Sequence, residues 1–215
     1  MRLITCICTA LAALLAGCAY EAKPISTGVV SIVSAYTEKI PGKFALVIQP
    51  SELNKVIRPR GVACSAHSYP LNLSESFQSS VRTTLNNLVE RLEEIQSPLS
   101  SEVLRAQGYK GQILVRGESL EGKLIAVPGF WTANISTTVH MTASIVVDGQ
   151  GGRLVGKTVE GIAEREAEAG GFCEGGAASL EEASTQAMRK LMVQLGEALA
   201  NSDRLRRGAI AHAGR

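Results

Sequence analysis

Few side chains in this sequence could carry chemistry. Ser65-Ala66-His67 places a hydroxyl near an imidazole, the beginnings of a nucleophile and its base, but no acidic residue stands close by to orient the histidine. The glycine-rich stretch 170–176 leads into a helix, whose amides could meet an anion. It has neither the G-x-G-x-x-G spacing nor a P-loop lysine, and Glu174 would repel a phosphate. Glu160, Glu164, Glu166 and Glu168 alternate with Arg165 as a solvated strand edge does, and His140 reads as a surface histidine. Cys64 and Cys173, with His67 and His140, lack the ligand spacing of a zinc site, and no C-x-x-C is present. No catalytic set, metal or cofactor is therefore expected. The remaining feature is a turn. Val127, Pro128, Phe130 and Trp131 hold one of four phenylalanines and the sole tryptophan. They either fold over the edge of the core or form an exposed contact for a partner or membrane.

The N-terminus reads as an address. Arg2 is followed by an uncharged apolar run over residues 3–15, ending in Leu15-Ala16-Gly17-Cys18. That run is shorter than the ~20 residues that span a bilayer as a helix, so a cleaved secretory signal over 1–17 is expected. Leu15-Ala16-Gly17-Cys18 resembles the lipobox of bacterial lipoproteins, an aliphatic residue and two small ones before a cysteine. The resemblance implies cleavage after Gly17, a diacylglycerol thioether on Cys18 and acylation of the new amino terminus. Several acyl chains anchor stably where one exchanges, since each buried methylene adds ~0.8 kcal/mol. Ala19 follows, where an aspartate is that family's usual inner-membrane retention signal. In a Gram-negative host this implies the outer membrane, with the protein facing the periplasm.

Cys6 and Cys8 leave with the signal and lipid consumes Cys18, so Cys64 and Cys173 remain. In an oxidising periplasm a disulfide is the simplest use for that pair, with a metal site as the competing reading.

The elements that must position these residues follow from hydrophobic period. Residues 18–26 read as a membrane tether and 28–36 carry strand signals; 44–48 is a continuous apolar run before Pro50, and 58–69 reads as an extended stretch carrying Cys64. Phe77, Val81, Leu85, Leu88, Leu92 and Ile95 recur at helical spacing, predicting an amphipathic helix over 74–96 capped by Ser74. Short strands are expected at 112–117 and 123–127. A clean alternation over 135–147 buries Ile135, Thr137, Val139 and Met141, with Ser136, Thr138 and His140 facing water, and a turn at 148–152 returns the chain as a partner strand. Ser179 and Glu182 read as a capping box for a second helix over 179–200, and 201–215 as a flexible basic tail.

Strands, helix, strand meander and helix make an α+β domain over 27–200, a mostly antiparallel sheet with both helices on one face. The 215 residues, 45% hydrophobic and 20% charged, suit a single domain and exclude wholesale disorder, collagen and a multi-span membrane protein. A formal charge of +2 gives no nucleic-acid footprint. The order of elements over residues 44–199 is similar to that of YajG-like lipoproteins, the N-terminal domain of TolB and auxiliary lipoproteins of ABC transporters. What that implies is a non-catalytic binding or assembly component of a cell-envelope system, anchored by lipid and working with an envelope protein. An envelope hydrolase whose residues meet only in three dimensions, an ABC-transporter auxiliary role and a plain spacer are the alternatives.

Overall fold

The computed structural model describes residues 20–33, 38–50, 52–61, 64–129, 133–170 and 173–207. Its framework is a meander of three long antiparallel strands, β6 (Gly111–Pro128), β7 (Ala133–Gly149) and β8 (Gly152–Glu168). The alternation along β7 sets the layers. Ile135, Thr137, Val139, Met141, Ala143, Ile145 and Val147 are buried, and the residues between them are not. β2 (Ile40–Gln49) adds parallel to β6, and β5 (Val89–Glu94) adds parallel to β2, giving the order β5-β2-β6-β7-β8. The five-stranded sheet is thus mixed, antiparallel in its meander and parallel in its other two pairings. A second sheet holds β1 (Tyr20–Glu21), β3 (Asn54–Ile57) and β4 (His67–Asn72) in the order β1-β4-β3.

Helix α1 (Ser74–Leu88) lies on β2 and β5 and helix α3 (Gly175–Ala200) on β7 and β8, touching each other over the buried face of the sheet. The fold is α+β with both long helices on that face. The small sheet covers the remainder of it, Leu53 sitting over Gly117 and Ile57 over Gly122. On the opposite face a short helix, α2 (Ser101–Ala106), brings Leu104 and Tyr109 against Ala45. A side chain at Gly161 would put its Cβ 1.9 Å from the Ala187 carbonyl oxygen, so glycine there lets α3 lie on β8. The outer edge of β8 is partly occupied. Gln194 Oε1 accepts from the Glu160 N–H at 3.2 Å, and Lys190 Nζ donates to the Ile162 carbonyl at 2.7 Å.

The structure departs from the sequence reading at several points. The helix expected over 74–96 ends at Leu88, and the next residues form β5, because the free edge of β2 offers Val89 and its neighbours a backbone ladder. Ser74 is the first helical residue rather than the cap; its N–H and hydroxyl both donate to Asn54 Oδ1. Helix α3 begins at Gly175, so Ser179 and Glu182 form no capping box. Ser179 is buried and donates to Thr137 Oγ1 at 2.9 Å. The two short strands are one, β6, with an irregularity between Gly117 and Ser119. Cys64 lies in a turn between β3 and β4 rather than in a strand. Residues 28–33 run along α1 without pairing, the Val30 N–H donating to Ser80 Oγ.

Both ends of the domain are tied down more than their composition suggests. Residues 20–26 are not a free tether: Tyr20 and Glu21 pair with β4, and Ala22 and Ile25 are buried. In the C-terminal tail, α4 (Asp203–Arg207) buries Leu205.

Candidate functional site

One end of the molecule is organised around the two cysteines. Cys64 and Cys173 are bonded, their Cα atoms 5.8 Å apart across 109 positions of sequence. Each has left-handed backbone, φ 61° and 59°, a conformation that non-glycine residues seldom adopt. The His67 N–H donates to the Cys64 carbonyl at 3.0 Å, closing the turn that enters β4. Tyr69, buried in β4, donates its hydroxyl to the Cys173 carbonyl at 2.7 Å, and the Gly176 N–H reaches the same oxygen at 3.2 Å. A side chain at Gly176 would place its Cβ 2.7 Å from that hydroxyl, so the start of α3 needs glycine to admit Tyr69. Burial, and secondarily the nearby Tyr20, pushes the Tyr69 phenol above its ordinary value. Tyr20, His67 and Tyr69 form a short aromatic row with centroid spacings of 5.1 and 6.3 Å.

Ser65 is exposed and His67 half-buried, and no hydrogen bond joins them among the described residues. His140 Nε2 meets Glu160 Oε2 at 3.2 Å on the open face of the sheet, where Glu164, Glu166 and Glu168 continue the row. Arg165 turns the other way to pair with Glu182 of α3 at 2.8 Å. No group of three or more potential metal ligands occurs among the described residues. Val127 and Pro128 are exposed at the end of β6, while Phe130, Trp131 and Cys18 lie outside the described residues.

A cavity of about 440 Å³ opens at the opposite end of the ladder, beside the β7–β8 turn. Pro41, Gly42 and Lys43 of β2, Arg91 of β5, residues 108–110 and residues 149–151 line it, with Leu154 at its side. Lys43 Nζ is 2.7 Å from Glu93 Oε2 and 4.1 Å from the centroid of the Tyr109 ring. The hydrogen bond to Glu93 raises Lys43, and the same contact, followed by Tyr109, lowers Glu93. Lys110 donates to the carbonyls of Pro41 and Leu205 at 3.1 and 3.3 Å, and burial lowers its affinity for the proton. Gln150 Nε2 donates to the Tyr109 carbonyl at 2.8 Å, fixing the turn to the wall. Arg91 alone of the three cations has no ion pair or hydrogen bond among the described residues. The arrangement offers apolar walls, fixed backbone and one uncommitted guanidinium, which suits holding a ligand or a partner's loop. Sequence reasoning missed this cavity because its lining comes from four separate segments, and the helix expected over 74–96 would have carried Arg91 away from it. Its one local signal is a lysine soon after a turn glycine, in Pro41-Gly42-Lys43 and Gly108-Tyr109-Lys110.

No family model matches the chain, and no curated protein matches it by sequence. Similar solved structures include a Xanthomonas campestris protein of the family DUF330, with TM-score 0.48 and 8% identity, covering 90% of this chain and 100% of that one. A neuraminyllactose-binding hemagglutinin homolog from Helicobacter pylori gives TM-score 0.49 and 8% identity over 86% of this chain and 97% of the other. A minor lipoprotein from Acinetobacter baumannii gives 0.38 and 12% over 73% and 91%.

Proposed function

We propose that the chain is an outer-membrane lipoprotein, held by lipid on Cys18 and facing the periplasm, whose domain is a non-catalytic binding component of a cell-envelope assembly. One observation carries this reading: the cysteine of Leu15-Ala16-Gly17-Cys18 is two positions before Tyr20, the first residue of β1, so a lipid on Cys18 would be held close to the pairing of β1 with β4. The Cys64–Cys173 bridge supports an oxidising compartment. The non-catalytic part is supported by the cavity, where both lysines are committed to protein groups.

Metabolic labelling with palmitate and membrane fractionation test the anchor. Wild type should be labelled and sediment with the outer membrane, whereas Cys18→Ser should lose the label and leave that fraction; unchanged labelling of the variant would refute the assignment. For the binding role, a photo-crosslinking residue at Gly151, on the cavity rim where an added side chain meets nothing within 4 Å, should capture an envelope protein that the same residue at Thr158 does not. Equal yields from both positions would remove the cavity as the contact.

A further inference from the structure

Resting on the lipid assignment of Cys18, we propose that the disulfide end of the domain is seated directly on the lipid surface that carries the anchor, so that the protein stands upright with its cavity facing away. Reach comes first. Only Ala19 lies between Cys18 and Tyr20, and two residue steps span at most ~7 Å. Tyr20 is already part of the body: its N–H donates to the Ala66 carbonyl at 3.1 Å, the Ala22 N–H to Ser68 at 2.9 Å and the Ile25 N–H to Pro70 at 2.8 Å. A domain held by so short a link cannot stand off or roll freely, and whatever surrounds Tyr20 lies at the level of the headgroups.

A continuous series of bonds identifies those surroundings. Tyr20 is bonded to Ala66, in the turn closed between Cys64 and His67; Cys64 is bridged to Cys173; and Ala169, which accepts from Gly175, donates to Ala133. Ala133 lies opposite Pro128 at the last rung of the β6–β7 hairpin. The start of β1 and the ends of β6 and β8 are therefore at one level. Tyr20 is 60% exposed and Val127 55%, and Pro128 is exposed beside them. Tyrosine favours the membrane–water boundary because its ring is apolar and its hydroxyl remains hydrated. Charge is not what selects this end. Exposed Arg58 and Arg60 are accompanied by exposed Glu21, Glu168 and Glu174, so the seat is set by the short link and the apolar groups, and raising salt should leave it in place.

The test uses the full-length lipidated protein in phosphatidylethanolamine–phosphatidylglycerol vesicles. A single cysteine is added by Val127→Cys or Pro128→Cys near the anchor, or by Gly151→Cys at the far turn, where added atoms meet nothing within 4 Å. Each is labelled with a nitrobenzoxadiazole maleimide without reductant, leaving the native bridge intact. Nitroxide lipids should quench the labels at 127 and 128 at least threefold more than the label at 151. Equal quenching at the two ends of vesicle-bound protein would overturn the seat. So would labels near the anchor that are unquenched in vesicles but shielded from bulky maleimides in native membranes, because a protein would then cover this end. If the wild type does not float with vesicles, or Cys18→Ser floats equally, the lipid assignment fails, and the seat with it; that result is distinct from a floating protein with an unquenched end.

Discussion

Tyr69 joins three parts of the molecule through one side chain: its backbone belongs to β4, its ring packs in the core, and its hydroxyl ends on the residue that carries the bridge. Tyr69→Phe should cost about 1 kcal/mol of stability in urea unfolding, because Gly176 still serves the Cys173 carbonyl when the hydroxyl is gone. The same variant has a signature in alkali. The folded phenol titrates above its ordinary value, so the folded state holds the proton more tightly than the unfolded chain. That contribution is whole below about pH 10 and is lost as pH rises through the folded value. Stability measured from pH 9 to 11 should therefore fall more steeply for wild type than for Tyr69→Phe; parallel slopes would show that the phenol titrates alike in the folded and unfolded states. Nothing in Ser68-Tyr69-Pro70 announces this role in the sequence. The cysteine pair was legible because parity alone singles it out once the other three cysteines are assigned, whereas a tyrosine's partner depends on the tertiary path.

Among the elements, β7 was the easiest to read and β5 the hardest, for the same physical reason. Along β7 one face is buried and one is wet, so period two is written in the residue types. Val89-Glu90-Arg91-Leu92-Glu93-Glu94 is an edge strand with one buried residue, and its apolar positions continue the spacing of α1 so that the helical pattern runs through it. The parallel pairing with β2 decides the outcome, and such pairing leaves no local mark. The small sheet was unreadable for a similar reason: its strands have two, four and six residues. Packing between elements gives two checks. Gly161→Ala forces α3 off the sheet, and overpacking of this kind typically costs ~1–3 kcal/mol, so the variant's urea midpoint should fall well below that of a control such as Gly151→Ala, where nothing is crowded. Replacing both Cys64 and Cys173 by serine opens a link across 109 positions and should cost ~2–5 kcal/mol, and the bridged wild type should be lighter than its reduced form by the mass of two hydrogen atoms. Retention of wild-type stability by the double serine variant would show that the α3 junction holds without covalent help.

At the level of the whole molecule, the proposed sorting and the proposed posture both rest on residues 18–20. Under the proposed outer-membrane assignment, Ala19→Asp should redirect the chain to the inner membrane on a sucrose gradient, leaving the unfolding of the domain unchanged because the substitution precedes β1. Unaltered sorting would mean that a different signal governs its destination. In the proposed seat, the β6–β8 ladder also acts as a ruler. The 17 residues of β7, at ~3.3 Å each, set a height of roughly 55 Å. Deleting two matched residues from each of the three strands would keep every side chain on its own face while lowering the cavity by ~7 Å, and deleting one would turn the faces over. The ladder can therefore be shortened only in steps of two, and the distance from the disulfide end to the cavity is quantised by the pleat of the sheet.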